Sequence, residues 1–431
     1  MEIMSIAENT LQTLLALCAR AVLRRYRPQI IAVTGTAGKT STKEAIFAVL
    51  EQRFMIRRSE KSFNTEIGVP LTIIGGKNHH KNIIGWLWEF VRAIGLLVVR
   101  KAYPSILLLE YGVQKPGDMT YLVHIGAPDI AVITAFGSVP VHVEFFKDPR
   151  ALFDEKARIA NAFPEGGILI LNADDERVCA VGNGVRARVI TFGFSDTADV
   201  RISQYALCGD SDALPSTIPT GISFALNYRG ASVSVRMRAF GKPQAYSAGA
   251  AAAVGVALGM DMKDAVVGLS RYVPPPGRLN VLQGIKGSII IDDTYNSSPV
   301  AVEEALNVLK EFPGQRKIAV LGDMKELGGY AEAAHRLVGE QAAIVADLIL
   351  TVGECAKGVG EGARTYADTL GVSHPDAIHE LSDAIGAGKF LRPLLRKGDA
   401  VLVKGSRSMH MERVIVEIMA EPEKAVELLV Q

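Results

Sequence analysis

A chain of 431 residues is too long for one ordinary hydrophobic core and predicts two or three domains. Its 48% hydrophobic and 22% charged residues are those of a soluble globular protein, and a net charge of +1 gives nucleic acid no electrostatic footprint. Four cysteines, Cys18, Cys179, Cys208 and Cys355, lie far apart with no Cys-x-x-Cys pair, which argues against a thiolate metal centre and fits a reducing cytoplasm.

In chain order, residues 1–29 come first. Met1 to Asn9 carries Glu2 and Glu8 but no Lys or Arg, the wrong charge for a secretory leader. Leu11, Leu14, Leu15, Cys18 and Val22 recur at helical spacing, with Arg20, Arg24, Arg25 and Arg27 toward the end. An amphipathic helix with a basic end is expected, packed on the first domain or laid on a membrane surface.

The apolar run Ile30 to Val33 then leads through Thr34-Gly35-Thr36-Ala37-Gly38-Lys39-Thr40-Ser41 into a helical stretch, Lys43 to Leu50. Strand, glycine turn and helix in that order leave backbone N–H groups and a helix dipole aimed at an anion, with a lysine for the outer phosphates. Thr40 is placed for Mg2+. The usual phosphate loop has a further glycine where this chain has Val33, so the general pattern is met in part.

A second apolar run, Ile83 to Val99, contains both tryptophans, Trp86 and Trp88, and is interrupted by Glu89 and Arg92. It is shorter than the roughly 20 residues of a membrane span and reads as a buried or interfacial helix, with peripheral membrane contact as the alternative.

Ile106 to Leu109, Ile130 to Thr134, Ile168 to Leu171 and Val189 to Phe192 read as buried strands of a parallel sheet, with helical stretches such as Ala151 to Ala162 between some of them. Ligands collect at the carboxyl ends of such strands, so the residues that follow them matter most. These are Glu110 and Gly112, then His142 and Glu144, then Asn172 with Asp174 and Asp175. Each carboxylate suits a Mg2+ site and equally a helix cap. Between Asp199 and Gly241 the pattern turns to alternation, an antiparallel appendage, and Tyr246 to Met260 reads as an Ala-rich helix.

Val273-Pro274-Pro275-Pro276-Gly277-Arg278 marks a domain boundary. Beyond it, strands are expected at Ser288 to Ile291, Lys317 to Leu321, Asp347 to Val352 and Ala400 to Val403, followed respectively by Asp293-Thr294-Tyr295-Asn296 after the first, Gly322-Asp323-Met324-Lys325-Glu326-Leu327-Gly328 after the second and Lys404-Gly405-Ser406-Arg407 after the last. A second, Rossmann-like α/β domain is implied, without a dinucleotide fingerprint. The expected division is a helix over 1–29, a central domain over 30–274 and a C-terminal domain over 275–431. His335 is equally well a helix-surface histidine or a cleft residue.

Together these residues resemble the Mur ligase family. The shortened phosphate loop, Asn64 with Gly68-Val69-Pro70, Glu110 with Gly112, His142, Lys156, Asn172, Arg278 and Asp293 to Asn296 fall in the family's order from about Ile30 onward. The resemblance implies a central ATPase-like parallel sheet, a Rossmann-like C-terminal domain and ATP-dependent, ADP-forming peptide ligation through an acyl phosphate. Gly35 to Ser41, Asn172, Arg278 and Asp293 would hold ATP. Thr40, Glu110, His142 and Lys156 would serve Mg2+, with Lys156 as a CO2-derived carbamate, and Lys39, Glu110, His142 and Lys156 would be catalytic. Asn64, Tyr295, Asn296, Lys404, Ser406 and Arg407 would face the substrates. The runs around Tyr295 and Asp323 look most like the branch that adds D-Ala-D-Ala to a muramoyl tripeptide in peptidoglycan synthesis.

Two features depart from the family. Only about 30 residues precede the phosphate loop, where the tripeptide ligases carry a UDP-sugar-binding domain, so a partner that supplies precursor binding or a lipid-linked precursor is implied as an alternative. Pro243 and Ser247 stand where relatives have His and Asn near adenine. A folate-polyglutamate-type ligase and a non-catalytic nucleotide-binding subunit are the remaining alternatives.

Overall fold

The computed structural model describes residues 2–60, 63–80, 82–209, 219–314, 316–369 and 377–430, with side chains from residue 9 onward. Of the expected N-terminal helix Met1, of the expected antiparallel appendage 210–218, and at the end of the chain Gln431 lie outside the described residues.

Long apolar runs dictate the first sheet. Strands β1 (Gln29–Thr34), β2 (Ile56–Arg58), β3 (Ile106–Glu110), β4 (Ile130–Ile133), β5 (Ile168–Asn172) and β6 (Arg188–Gly193) run parallel. The alternating segment extends the same sheet as β7 (Val200–Cys208), β8 (Gly221–Tyr228) and β9 (Ala231–Met237), antiparallel hairpins as expected. The order across the sheet is β2-β3-β1-β4-β5-β6-β7-β8-β9.

Side-chain alternation along the central strands sends two sets of residues into two cores. Ile31, Val33, Ile106, Leu108, Ile130 and Val132 pack with the Lys39–Leu50 helix and the Ala-rich helix. Ile30, Ala32, Leu107, Leu109, Ala131 and Ile133 pack on the other face, where the Glu2–Tyr26 helix buries Leu15, Ala19 and Val22. Leu14, assigned from spacing to the buried stripe of that helix, is instead 45% exposed. Leu15 and Val22 of that stripe are buried as expected, and Ala16 and Ala19 complete the seam against the neighbouring helices.

The Ala-rich helix spans Lys242–Ala257 rather than Tyr246 to Met260. Pro243 sits in its first turn, where a missing N–H costs no hydrogen bond, and the helix ends before Gly259 at φ +75°. Its alanines and glycines admit the phosphate-loop helix at close range.

After the proline segment the chain builds a second sheet from β10 (Asn280–Gln283), β11 (Ile289–Asp293), β12 (Arg316–Gly322), β13 (Leu348–Val352), β14 (Ile378–Leu381) and β15 (Asp399–Lys404), in the order β10-β11-β15-β12-β13-β14. All neighbours are parallel except β10 with β11. His335 is neither at the surface nor in the cleft. It is fully buried, its Nδ1 donating to the Ala331 carbonyl (2.6 Å) and its Nε2 accepting the Met324 N–H (2.9 Å), which fixes the turn after β12.

The proline segment is tied to the second sheet by Asp292. This fully buried carboxylate accepts the N–H of Gly277 (3.1 Å) and the N–H and hydroxyl of Thr294 (3.1 and 2.7 Å). Burial dominates these bonds and pushes its pKa up to about 6. A raised carboxyl pKa means the folded chain takes up a proton before the unfolded chain does, so stability rises as pH falls from above 6 toward 4. A difference of that size is worth up to about 3 kcal/mol. Urea unfolding at pH 7 and pH 5 should show about half of this gain in the wild type and a clearly smaller one in Asp292→Asn.

Candidate active site

Both sheets present the carboxyl ends of their strands to one cleft of about 1260 Å³. In the first sheet the chain leaves β1 for β2 and β3 on one side and then returns to β4 on the other. The ends of β1, β3 and β4 therefore diverge, and the crevice between them receives the phosphate loop.

The loop's shape depends on two glycines. Gly35 has φ +141°, and a Cβ there would lie 2.1 Å from Thr134 Oγ1. Gly38, at φ +77°, caps the Lys39–Leu50 helix. Thr134, just beyond β4, donates its hydroxyl to the Ala37 carbonyl (2.6 Å), and the Thr36 N–H bonds the Ala135 carbonyl (2.8 Å). Lys39 folds back over the loop, Nζ 3.0 Å from the Gly35 carbonyl. Burial holds the Lys39 ammonium below its usual pKa, an effect partly offset by attraction to Glu110 and deepened by Arg278.

Glu110 ends β3 and is 2% exposed. Among the described residues its two oxygens meet only neutral donors, Asn64 Nδ2 and Thr40 Oγ1, both at 3.1 Å. A buried carboxylate so placed suits a cation that shares its site. No group of three or more His, Cys, Asp or Glu converges among the described residues. The donor set therefore fits a hard ion completed by phosphate oxygens, the binding habit of Mg2+, rather than an all-protein metal cage.

Lys156, on the Pro149–Ala157 helix, lies behind the loop, 2% exposed, with Nζ 3.3 Å from Thr36 Oγ1. Desolvation, reinforced by repulsion from Lys39, puts its pKa well below the ordinary lysine value. His142, held at φ +72°, faces the second sheet, where its Nδ1 lies 2.8 Å from the Glu326 carboxylate. His142 and Lys156, both expected to serve Mg2+, thus meet different partners.

Asn172 ends β5 in the same cleft, its Oδ1 accepting the Asp174 N–H (3.0 Å). Asp174 and Asp175 are occupied by the protein itself. Asp174 accepts the N–H groups of Phe194 and Ser195 and the Tyr246 hydroxyl, and Asp175 caps the Glu176–Val181 helix. Both are turn formers, the alternative that their sequence context had left open. Ser247 bonds the Pro243 carbonyl (3.0 Å) inside its own helix.

From the second sheet come the remaining groups. Asp293 and Lys404 are register partners at the ends of β11 and β15, and their side chains form a buried ion pair. Lys404 also donates to the Asn296 carbonyl (2.9 Å), and burial holds its ammonium low against the pull of Asp293. Ser406 Oγ accepts the Lys325 N–H (2.9 Å), and Arg407 pairs with Glu412 (3.1 Å). Arg278 stacks over Tyr295, 4.0 Å from the ring centroid, and reaches to 3.5 Å of Thr40 Oγ1. Its Nε is buried with no hydrogen-bond partner among the described residues, and the residue lines the cleft beside the phosphate loop.

The sequence-predicted residues therefore converge, with Gly35 shaping the loop from beneath and Lys156 behind it. Glu326 was quoted in the sequence only as part of a run; its contact with His142 joins the two halves and needs both sheets in place to be seen. Gly328 against Glu144 and Val300 against Gly137 close the same seam.

Residues 94–255 match the Mur ligase middle domain, and residues 277–407 match the Mur ligase, glutamate ligase domain. The UDP-N-acetylmuramoyl-tripeptide--D-alanyl-D-alanine ligase of Bacillus subtilis is 28% identical over 422 residues, 97% of this chain and 81% of that protein. The enzyme of the same description from Mycobacterium tuberculosis is 30% identical over 409 residues, 91% of this chain and 73% of that protein. Among solved structures, MurF ligase from Thermotoga maritima in complex with ADP superposes with a TM-score of 0.76 at 27% identity, covering 96% of this chain and 84% of that one. With both halves matched and the cleft between them assembled from the residues described above, this chain belongs to the Mur ligase family.

Proposed function

We propose that this chain uses ATP to activate the terminal carboxylate of UDP-N-acetylmuramoyl-tripeptide and couples it to D-alanyl-D-alanine. The observation that carries the reading is the single cleft in which a phosphate loop, a buried carboxylate and an arginine from the second half meet across two sheets. It accords with relatives of that description over most of the chain.

In the reaction, a substrate carboxylate oxygen attacks the γ-phosphorus and the bond to ADP breaks. The amine then attacks the acyl carbon, loses a proton, and phosphate departs with formation of the amide. Two anions must be brought together first, which needs positive charge and N–H donors fixed in advance. Lys39, the N–H groups of Gly35 to Ser41 and the Arg278 guanidinium supply them. Mg2+, held by Thr40 and Glu110, would neutralise phosphate charge. Asn64 orients Glu110 by donating to it. Asn172 and Asp293 complete the nucleotide side, while Tyr295, Asn296, Lys404, Ser406 and Arg407 form the wall available to the amino substrate. His142 contributes at the seam, where domain closure excludes water from the acyl phosphate. The chain divides functionally at residue 275, and the reaction belongs in the cytoplasm, where ATP is supplied.

Lys156 is assigned as a carbamate. Its low-pKa amine can attack CO2 through the neutral nitrogen, forming an N–C bond and releasing one proton, and the product is an anion able to hold a cation beside the loop. This reverses the repulsion between Lys156 and Lys39.

ADP release measured with ATP, Mg2+ and both cell-wall substrates tests the function. Release should require the muramoyl tripeptide and D-Ala-D-Ala together, and Lys39→Ala and Lys156→Ala should each lower kcat by about 10²-fold or more while thermal unfolding is retained. Release that ignores the tripeptide, or that responds instead to a folate and glutamate, would overturn it. Gly35→Ala, whose added methyl collides with Thr134, should weaken ATP binding by at least about tenfold in calorimetry, with binding unchanged as the contrary result.

A further inference from the structure

The Ile83–Val98 helix has two faces with different surroundings. Its inner seam is Trp86, Glu89, Ala93 and Leu96. Glu89, 1% exposed, is held by His79 (2.9 Å), Arg92 (3.0 Å) and the Lys77 N–H (3.2 Å), and the Trp86 indole donates to the His80 carbonyl (2.9 Å). These bonds fix the helix to the loop before it, and the Glu2–Tyr26 helix packs against it from the body of the protein.

The outer face is apolar. Ile84, Leu87, Trp88, Val91, Ile94 and Val98 are between 55 and 79% exposed. At 100° per residue they fall within an arc of about 120°, one continuous stripe. Scattered exposed apolar residues are ordinary, but an unbroken stripe of six on a fixed helix marks a contact surface. The tryptophans are thus divided, Trp86 inside and Trp88 out. Among the described residues no helix is long and apolar enough to cross a membrane, so this one can lie on a bilayer but not span it.

Charge names the occupant. Arg100 and Lys101 follow the helix, and Glu89 is the only acidic residue between 83 and 101. The Tyr26 hydroxyl donates to the Leu96 carbonyl (3.0 Å) and accepts the Lys101 N–H (3.2 Å). That bridge brings the end of the Glu2–Tyr26 helix, with exposed Arg24, Arg25 and Arg27, to the same end of the stripe. An apolar stripe with an exposed tryptophan beside five cations combines the two signals that hold a peripheral protein on anionic lipid. A second copy of the chain fits less well, because a two-fold contact would bring the basic clusters of both copies to one interface.

We propose that this face docks on an anionic bilayer surface, with the stripe among the upper acyl chains and the arginine cluster on the headgroups. The contact uses none of the cleft residues, so it stands or falls apart from the ligase reading.

Sedimentation with vesicles of phosphatidylcholine and about one third phosphatidylglycerol tests it. The wild type should bind, and the triple variant Ile84→Glu, Leu87→Glu, Val91→Glu should partition at least about tenfold less. Arg24→Gln with Arg25→Gln, or raised salt, should lower binding several-fold. Unchanged thermal unfolding and unchanged ADP release would show that the exposed substitutions leave the fold intact. Brominated acyl chains should quench tryptophan emission in the wild type and far less in Trp88→Phe. Absence of binding at low salt, binding that survives in the triple variant, or a concentration-dependent dimer abolished by that variant would overturn the proposal.

Discussion

Two lysines buried at one phosphate loop set the problem that the rest of the site resolves. Lys39 and Lys156 are both desolvated and each repels the other's charge, and Arg278 adds a third cation from the opposite half. An excess of buried positive charge is unstable unless anions arrive, and the cleft is built to receive them. Glu110 balances part of the excess from within, and its placement between Thr40 and Asn64 leaves it open to a cation that phosphate would bring. The arrangement is electrostatically incomplete, which is how a site prepared for a charged transition state should stand.

The same constraint explains the geometry of the two sheets. Neither sheet alone encloses a phosphate. Helix and loop N–H groups come from the first, and the arginine, stacked on Tyr295, and the buried Asp293–Lys404 pair come from the second. Their seam joins polar contacts, His142 on Glu326 and Arg278 near Thr40, to apolar ones, Phe240 on Phe312 and Val300 beside Gly137. Asp292 ties the proline segment to the second sheet, so Arg278 belongs with that sheet and reaches the loop from across the cleft.

Much of this was legible in the sequence because the buried parallel strands are unbroken apolar runs and the chemistry sits directly after them. Glu110, Asn172, Asp293 and Lys404 each close a strand and stand out by that rule, while the roles expected of them rest on the family resemblance. The strands that escaped, β2, β10 and β14, are all sheet edges, and none of their residues is buried, so no apolar run announces them. His335 was misjudged because a buried histidine and an exposed one look alike on a helix; its two backbone bonds come from a turn that folds only when β12 is in place. Lys156 had no local signal, since a lysine among charged neighbours reads as solvated. Its burial comes from the helix docking behind the loop, and its assignment rested on family position.

The measurement that bears most directly on this electrostatic scheme is carbon-13 NMR of the protein equilibrated with ¹³C-bicarbonate. A carbamate on Lys156 predicts one slowly exchanging carbamate resonance that is lost in Lys156→Met and strengthened by ADP with Mg2+. Ligase turnover at full rate in CO2-stripped buffer, with no such resonance in the wild type, would contradict it and leave Lys156 acting as a neutral amine or a cation beside the phosphates.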